Sequence, residues 1–189
     1  MKDEEIIPGA IEALKKGGVI LYPTDTLWGL GCDATHEAAS AKVFAIKRRS
    51  EAKSLVLLAA DLDMVARYVR EIPSIAIDLV EVNDAPMTIV YPGAQGLAPN
   101  VVAEDGSVGI RIPRNDFCIN LLRKFRKPLV STSANISGEP SPKMFRDISE
   151  EIRGAVDFIV PARLAKDSTG KPSQIIKLGL RGEVEISRP

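Results

Sequence analysis

The sequence predicts an α/β protein: helices flanking a mixed β-sheet. Three observations predict it. Short runs rich in β-branched residues alternate with segments of helical period through the first two thirds of the chain. The late runs are short and strand-like, which makes the sheet mixed rather than wholly parallel. Finally, 189 residues at 45% hydrophobic and 26% charged carry enough apolar material for one packed domain spanning 1–189.

The elements follow in order. Ile6, Ile7, Ala10, Ile11 and Leu14 recur at helical spacing and stop at Gly17 and Gly18, the signature of a helix and its end. Residues 19–22 form a strand closed by Pro23, and the small and polar residues 24–35 form a loop. A helix over 37–46 and a buried strand over 55–58 come next. Asp61 caps a helix through Tyr68, and Pro73 opens another that ends near Val82. Strands at 87–91 and 108–112 enclose a loop with Gly and Pro; Asn115 or Asp116 caps a helix to Phe125. A strand at 128–131 runs into a Ser/Asn/Gly/Pro stretch, 132–142, followed by a helix over 145–152. Strands at 156–160, 174–178 and 184–186 complete the series, and the polar loop 163–173 is expected to be the most mobile segment.

Charge and composition remove several classes of function. Twenty-five Lys+Arg balance 25 Asp+Glu, so attraction to nucleic acid must come from a local patch. One such patch is Lys47, Arg48 and Arg49 with Lys53. Another, Arg123, Lys124, Arg126 and Lys127, is interleaved with Leu121, Leu122 and Phe125 and reads as the wet face of a helix. No apolar run approaches the ~20 residues of a membrane helix, and the acidic start lacks a signal-peptide pattern. With only Cys32 and Cys118, a cytoplasmic location is expected. A single histidine, His36, without a Gly-x-Ser-x-Gly elbow argues against triad hydrolysis. Two cysteines and one histidine cannot fill a four-ligand zinc site, and no metal-ligating residue is assigned.

Two nucleotide-binding patterns fail on context. Gly29 to Ala34 spells G-x-G-x-x-A, with Glu51 downstream as its acidic partner, but residues 23–28 separate the strand from the first glycine. Thr169, Gly170 and Lys171 lack the upstream glycine of a phosphate-binding loop.

Three period-two patterns say more. Thr24 and Thr26 flank Asp25 after the first strand. Lys47 and Arg49 project to one side if the helix has ended by Lys47, as Ser50 favours; two parallel cations suit a polyphosphate. Ser131, Ser133 and Asn135 sit where an apolar strand gives way to hydroxyls, the usual edge of a ligand crevice in α/β sheets. Each alone reads as a cap or turn. Together they point to a site, and Arg111 adds to it, since an arginine in the apolar run 108–113 must meet an anion if buried.

These residues carry a resemblance. Tyr22-Pro-Thr-Asp-Thr-Leu-Trp-Gly-Leu-Gly-Cys-Asp-Ala34, Lys47-Arg-Arg49, Val108-Gly-Ile-Arg-Ile-Pro113, Ser131-Thr-Ser-Ala-Asn-Ile-Ser-Gly138 and Pro172-Ser-Gln-Ile-Ile176 resemble the motifs of the YrdC-like L-threonylcarbamoyladenylate synthases. The match spans most of the chain and fits the short, single-domain form. It implies a twisted open mixed sheet with a concave basic cavity. It also implies that L-threonine, bicarbonate and ATP, with Mg²⁺, yield threonylcarbamoyl-AMP and pyrophosphate. The product serves threonylcarbamoyladenosine modification of tRNA through downstream transfer proteins. By motif position, Thr24, Arg111, Ser131 and Ser173 hold threonine, Arg111 pairing with its carboxylate. Lys47, Arg49, Ser133, Asn135, Ser141 and Arg188 contact ATP, with Lys47 and Arg49 catalytic and Arg181 competing with Arg188 for its place.

Departures from the family pattern are Asp84 and Ala85 within Asp84-Ala-Pro-Met-Thr88, where the family has Pro-Gly-Pro-x-Thr, Ser50 in place of a proline, and Leu57 and Leu58 where some members carry a histidine. They leave a second expectation standing: a non-catalytic relative that holds tRNA or double-stranded RNA on the same basic concavity.

Overall fold

The computed structural model describes residues 2–50, 55–166 and 168–188. Lys53 of the first basic patch and Glu51 of the dinucleotide pattern lie outside them. The helices are α1 (Asp3–Lys15), α2 (Glu37–Lys47), α3 (Leu62–Tyr68), α4 (Ser74–Val82), α5 (Asp116–Phe125) and α6 (Glu150–Ala155). The strands are β1 (Ile20–Pro23), β2 (Trp28–Gly31), β3 (Val56–Leu58), β4 (Met87–Tyr91), β5 (Val108–Arg111), β6 (Leu129–Ser133), β7 (Phe158–Ile159), β8 (Gln174–Leu178) and β9 (Val184–Arg188). They form one open, twisted sheet in the order β7-β1-β2-β6-β3-β5-β4-β8-β9. The pairs β1–β7, β3–β5 and β4–β8 are parallel and the rest antiparallel, so the sheet is mixed, as the sequence predicts. No helix among the described residues is long and apolar enough to cross a membrane.

Caps fix the helices where the sequence places them. Asp61 accepts from the Met64 N–H (2.9 Å), and Asn115, rather than Asp116, accepts from Cys118 (3.0 Å). His36 caps α2 through Nδ1, 3.2 Å from the Ala39 N–H, a structural use of the lone histidine. Below the sheet, Ile6, Ala10 and Leu14 of α1 and Cys118, Leu121 and Leu122 of α5 close the core against Leu21, Leu57, Ile89, Ile110 and Val130. Burial pushes the Cys32 thiol up to about 12 and Cys118 higher still, so both behave as small apolar groups.

The structure corrects two expectations. The stretch 24–35 is not all loop, because β2 lies inside it as the second arm of a hairpin with β1 (Tyr22↔Gly29, Pro23↔Trp28). Gly29 and Gly31 therefore sit within a strand and not at a strand-to-helix turn, which removes the dinucleotide pattern. The helix expected over 145–152 is a 3-10 turn at Phe145–Asp147 followed by α6, capped by Ser149, whose Oγ accepts from Ile152 N–H at 3.3 Å. Further along, Thr169 and Gly170 donate to the Asp25 and Thr26 carbonyls (2.9 Å each), joining these two residues to the β1–β2 turn.

Candidate functional site

The face of the sheet opposite that core is lined by alternate residues of the central strands. Gly29 of β2, Ser131 and Ser133 of β6, Val56 of β3, Gly109 and Arg111 of β5, Thr88 and Val90 of β4 and Ile175 of β8 all open on one cavity of about 340 Å³. Pairing puts Val56 beside both Gly109 and Ser131, and Gly29 beside Ser133, so the floor is a row of small side chains. Arg49, Arg111 and Arg188 share the cavity with Thr24, Thr26, Thr88, Ser107, Ser131, Thr132, Ser133 and Ser173. That lining suits a ligand with several anionic oxygens.

Of the ten residues the sequence assigns to the site, seven line the cavity: Thr24, Arg49, Arg111, Ser131, Ser133, Ser173 and Arg188. Lys47, Asn135 and Ser141 do not. The geometry imagined for Lys47 and Arg49, two cations on one side of an extended chain, is replaced by a helix ending. Lys47 is the last residue of α2, and Arg48 takes the left-handed conformation (φ 50°). The Arg49 N–H reaches the Phe44 carbonyl and the Arg48 N–H reaches Ala45, both at 3.0 Å, the double bond pattern of a Schellman cap. The reversal sends Arg49 into the cavity and leaves Lys47 behind its wall. There Lys47 Nζ donates to the carbonyls of Ser133 (2.5 Å) and Asn135 (2.7 Å), and to Asn135 Oδ1 (3.3 Å). Burial, with Arg49 nearby, brings this ammonium down to about 8. Asn135 spends its amide on the Ile136 and Glu139 carbonyls (3.1 and 2.7 Å), and Ser141 is exposed beyond it.

Two further networks order the walls. Ser173 Oγ lies 2.7 Å from Thr88 Oγ1, and Arg188 donates through Nε to the Ser173 carbonyl at 2.8 Å. Burial, and the charge of Arg111, lower the Arg188 guanidinium below its usual value. Arg181, the competitor for its place, sits exposed before Gly182 on the β8–β9 turn, and the cavity does not include it. At the other wall, Thr24 Oγ1 donates to the Leu27 carbonyl (2.8 Å), so its 2.9 Å contact with Thr26 Oγ1 must be donated by Thr26. The Thr24 oxygen also accepts from the Thr26 and Leu27 N–H groups (3.1 and 3.3 Å). The turn thus consumes most of the hydrogen-bonding capacity of the Thr24 hydroxyl.

Arg111 does meet an anion, but one inside the protein. Its Nη1 pairs with Asp25 Oδ1, and Nη2 donates to Thr26 Oγ1 at 3.2 Å; both charged side chains are 4% exposed. Sequence reasoning weighed the threonines on either side of Asp25 and passed over the aspartate. The signal was there: Asp25 is the sole charge in 17–32, as Arg111 is in 106–113. Two lone opposite charges in apolar runs are candidates for each other.

A family model, Sua5_yciO_yrdC, described as "Telomere recombination", matches residues 12–189. A protein of Stenotrophomonas maltophilia named threonylcarbamoyl-AMP synthase is 34% identical over 160 residues, covering 83% of this chain and 86% of its own. One of the same name from Hahella chejuensis is 33% identical over 171 residues, covering 89% and 91%. Among solved structures, P. abyssi Sua5 complexed with L-threonine superposes with a TM-score of 0.83 at 26% identity. That alignment covers 94% of this chain and 52% of the Sua5 chain, so the present chain spans about half of it. On the family match and these relatives together, the chain belongs to the Sua5/YciO/YrdC family.

Proposed function

We propose that this chain makes threonylcarbamoyl-AMP from L-threonine, bicarbonate and ATP, releasing pyrophosphate, as the names of its relatives suggest. The observation that carries the reading is the cavity: three arginines and eight Ser/Thr residues around one space, with the lone histidine used elsewhere as a cap. Threonine takes the side formed by Thr24, Arg111, Ser131 and Ser173. ATP takes the side formed by Arg49, Ser133 and Arg188, with Lys47, Asn135 and Ser141 along the loop that leaves β6. The product is the activated threonylcarbamoyl donor for modification of adenosine in tRNA.

The chemistry asks for no protein nucleophile. The threonine amine adds to carbon dioxide drawn from bicarbonate, forming a carbamate and releasing a proton. A carbamate oxygen then attacks the α-phosphorus as the bond to pyrophosphate breaks. The protein aligns the carbamate with that phosphorus and stabilises charge on the leaving group; Arg49 and Arg188 are placed for the second task. Mg²⁺ would be held by the nucleotide itself and would offset charge on the departing pyrophosphate. No carboxylate is among the described residues that line the cavity, and Asp25, behind Arg111, has both oxygens engaged, by Arg111 and by the Arg114 N–H at 3.0 Å.

The test is pyrophosphate release with ATP, threonine and bicarbonate, each omitted in turn. All three should be required, and Arg49→Ala should lose about 100-fold or more in rate while keeping its circular dichroism, the scale seen when one charge stabiliser is removed. Release without threonine, or a fully active Arg49→Ala, overturns the reading.

A further inference from the structure

The pair between Asp25 and Arg111 ties the β1–β2 turn to the end of a distant strand. Asp25 lies in the four-residue turn of the β1–β2 hairpin, and Arg111 ends β5; β6 and β3 stand between β2 and β5 in the sheet. The hairpin tip therefore reaches over two strands to hold the arginine. Neither oxygen of the carboxylate is free to swing. Oδ1 accepts from Arg111, and Oδ2 accepts from the Arg114 backbone N–H at 3.0 Å, just after Pro113. Arg111 is held from a second direction by Thr26 Oγ1, itself fixed by its bond to Thr24.

Stability alone does not account for such a pair. Removing two charges from water costs about as much as their attraction returns, and an apolar pair of equal volume would serve the fold as well. What the pair does provide is aim. A guanidinium has five N–H groups in one plane, and fixing two of them orients the remainder. Since Arg111 lines the cavity, the remainder is what a ligand meets.

We propose that Asp25 is a positioning residue: by clamping Arg111 from the hairpin tip, it sets the guanidinium plane that receives the carboxylate of the amino-acid substrate. This rests on the reading above, in which Arg111 takes the threonine carboxylate. Thr26 acts as the second, uncharged half of the clamp.

Calorimetric binding of L-threonine and of ATP to the whole chain tests it, with wild type, D25N, R111K and the double variant. D25N keeps the shape of the side chain and removes its charge. It should weaken threonine about tenfold or more, as misaimed binding groups do, while ATP affinity stays within about twofold. In the R111K background the same change should add less than about twofold, because the guanidinium plane it acts through is already gone. Threonine affinity unchanged in D25N overturns the clamp alone. Equal weakening of both ligands makes the pair merely structural and overturns it too. A wild-type chain that binds no threonine overturns the substrate reading, and the clamp with it. Should D25N not fold, T26V removes the second clamp without unpairing a charge; about threefold weaker threonine supports the proposal, and no change overturns it.

Discussion

Lys47 carries a charge that depends on pH in the working range. Its ammonium is buried behind the Ser133 wall, and burial together with Arg49 brings it from 10.5 to about 8. In that window the folded chain has shed a proton that an unfolded lysine keeps, so the cationic form is lost as pH rises through about 8. Polyphosphate binding that draws on this charge should weaken severalfold from pH 7 to 9. In Lys47→Met it should be weaker at pH 7 and flat across the range, as titrations by calorimetry would show. A wild-type profile as flat as the variant's would remove Lys47 from the nucleotide side. At this scale the sequence disclosed the residue types well and their partners poorly. Serines and threonines at the ends of β1 and β6 were legible, because hydroxyls where an apolar strand dissolves have few other reasons to cluster. That Lys47 would turn to two carbonyls was not. The left-handed Arg48 that sends Arg49 away from it has no glycine to announce it.

Among the elements, β2 shows what the sequence concealed and why. Its four residues, Trp28 to Gly31, alternate large and absent side chains, and glycine is depleted in strands, so propensity reads them as loop. The absent side chains make room for the Tyr22 ring. A Cβ on Gly31 would stand 2.6 Å from Tyr22 Cε1 and 2.7 Å from the Val130 carbonyl. The second contact is backbone within β6, which cannot retreat without disturbing its ladder. Gly31→Ala should therefore cost about 1–3 kcal/mol by overpacking. On a chain of this size each kcal/mol lowers the melting temperature by roughly 2–4 °C. Gly29→Ala is the matched control. Its nearest contacts are 3.5 Å, an ordinary distance, so urea denaturation should find it much closer to wild type. Equal losses for the two would refute the steric account. Elements announced by caps were legible, as Asp61 before α3 and Asn115 before α5 show. The 3-10 turn at Phe145–Asp147 was not, because its residues share the apolar spacing of the helix that follows.

On the scale of the whole molecule, the charges cancel and the site's do not. With 25 cations against 25 anions, the chain exerts little long-range pull on a polyanion. Arg49, Arg111 and Arg188 converge on one cavity, and of the three Arg111 is already paired with Asp25, so attraction is local and uneven across the cavity. In the proposed arrangement ATP would bring several negative charges to Arg49 and Arg188, both of them only part-buried and open to screening by salt. Threonine is a zwitterion of no net charge, and in the proposed arrangement its carboxylate would meet Arg111, which is 4% exposed. At an ionic strength near 0.15 M the screening length is about 8 Å, which reaches the rim of the cavity more than its floor. From 0.05 to 0.5 M potassium chloride, ATP affinity should fall about tenfold and threonine affinity less than about twofold. Parallel salt slopes for the two ligands would place both on the rim and refute the division of the cavity into an ATP side and a threonine side.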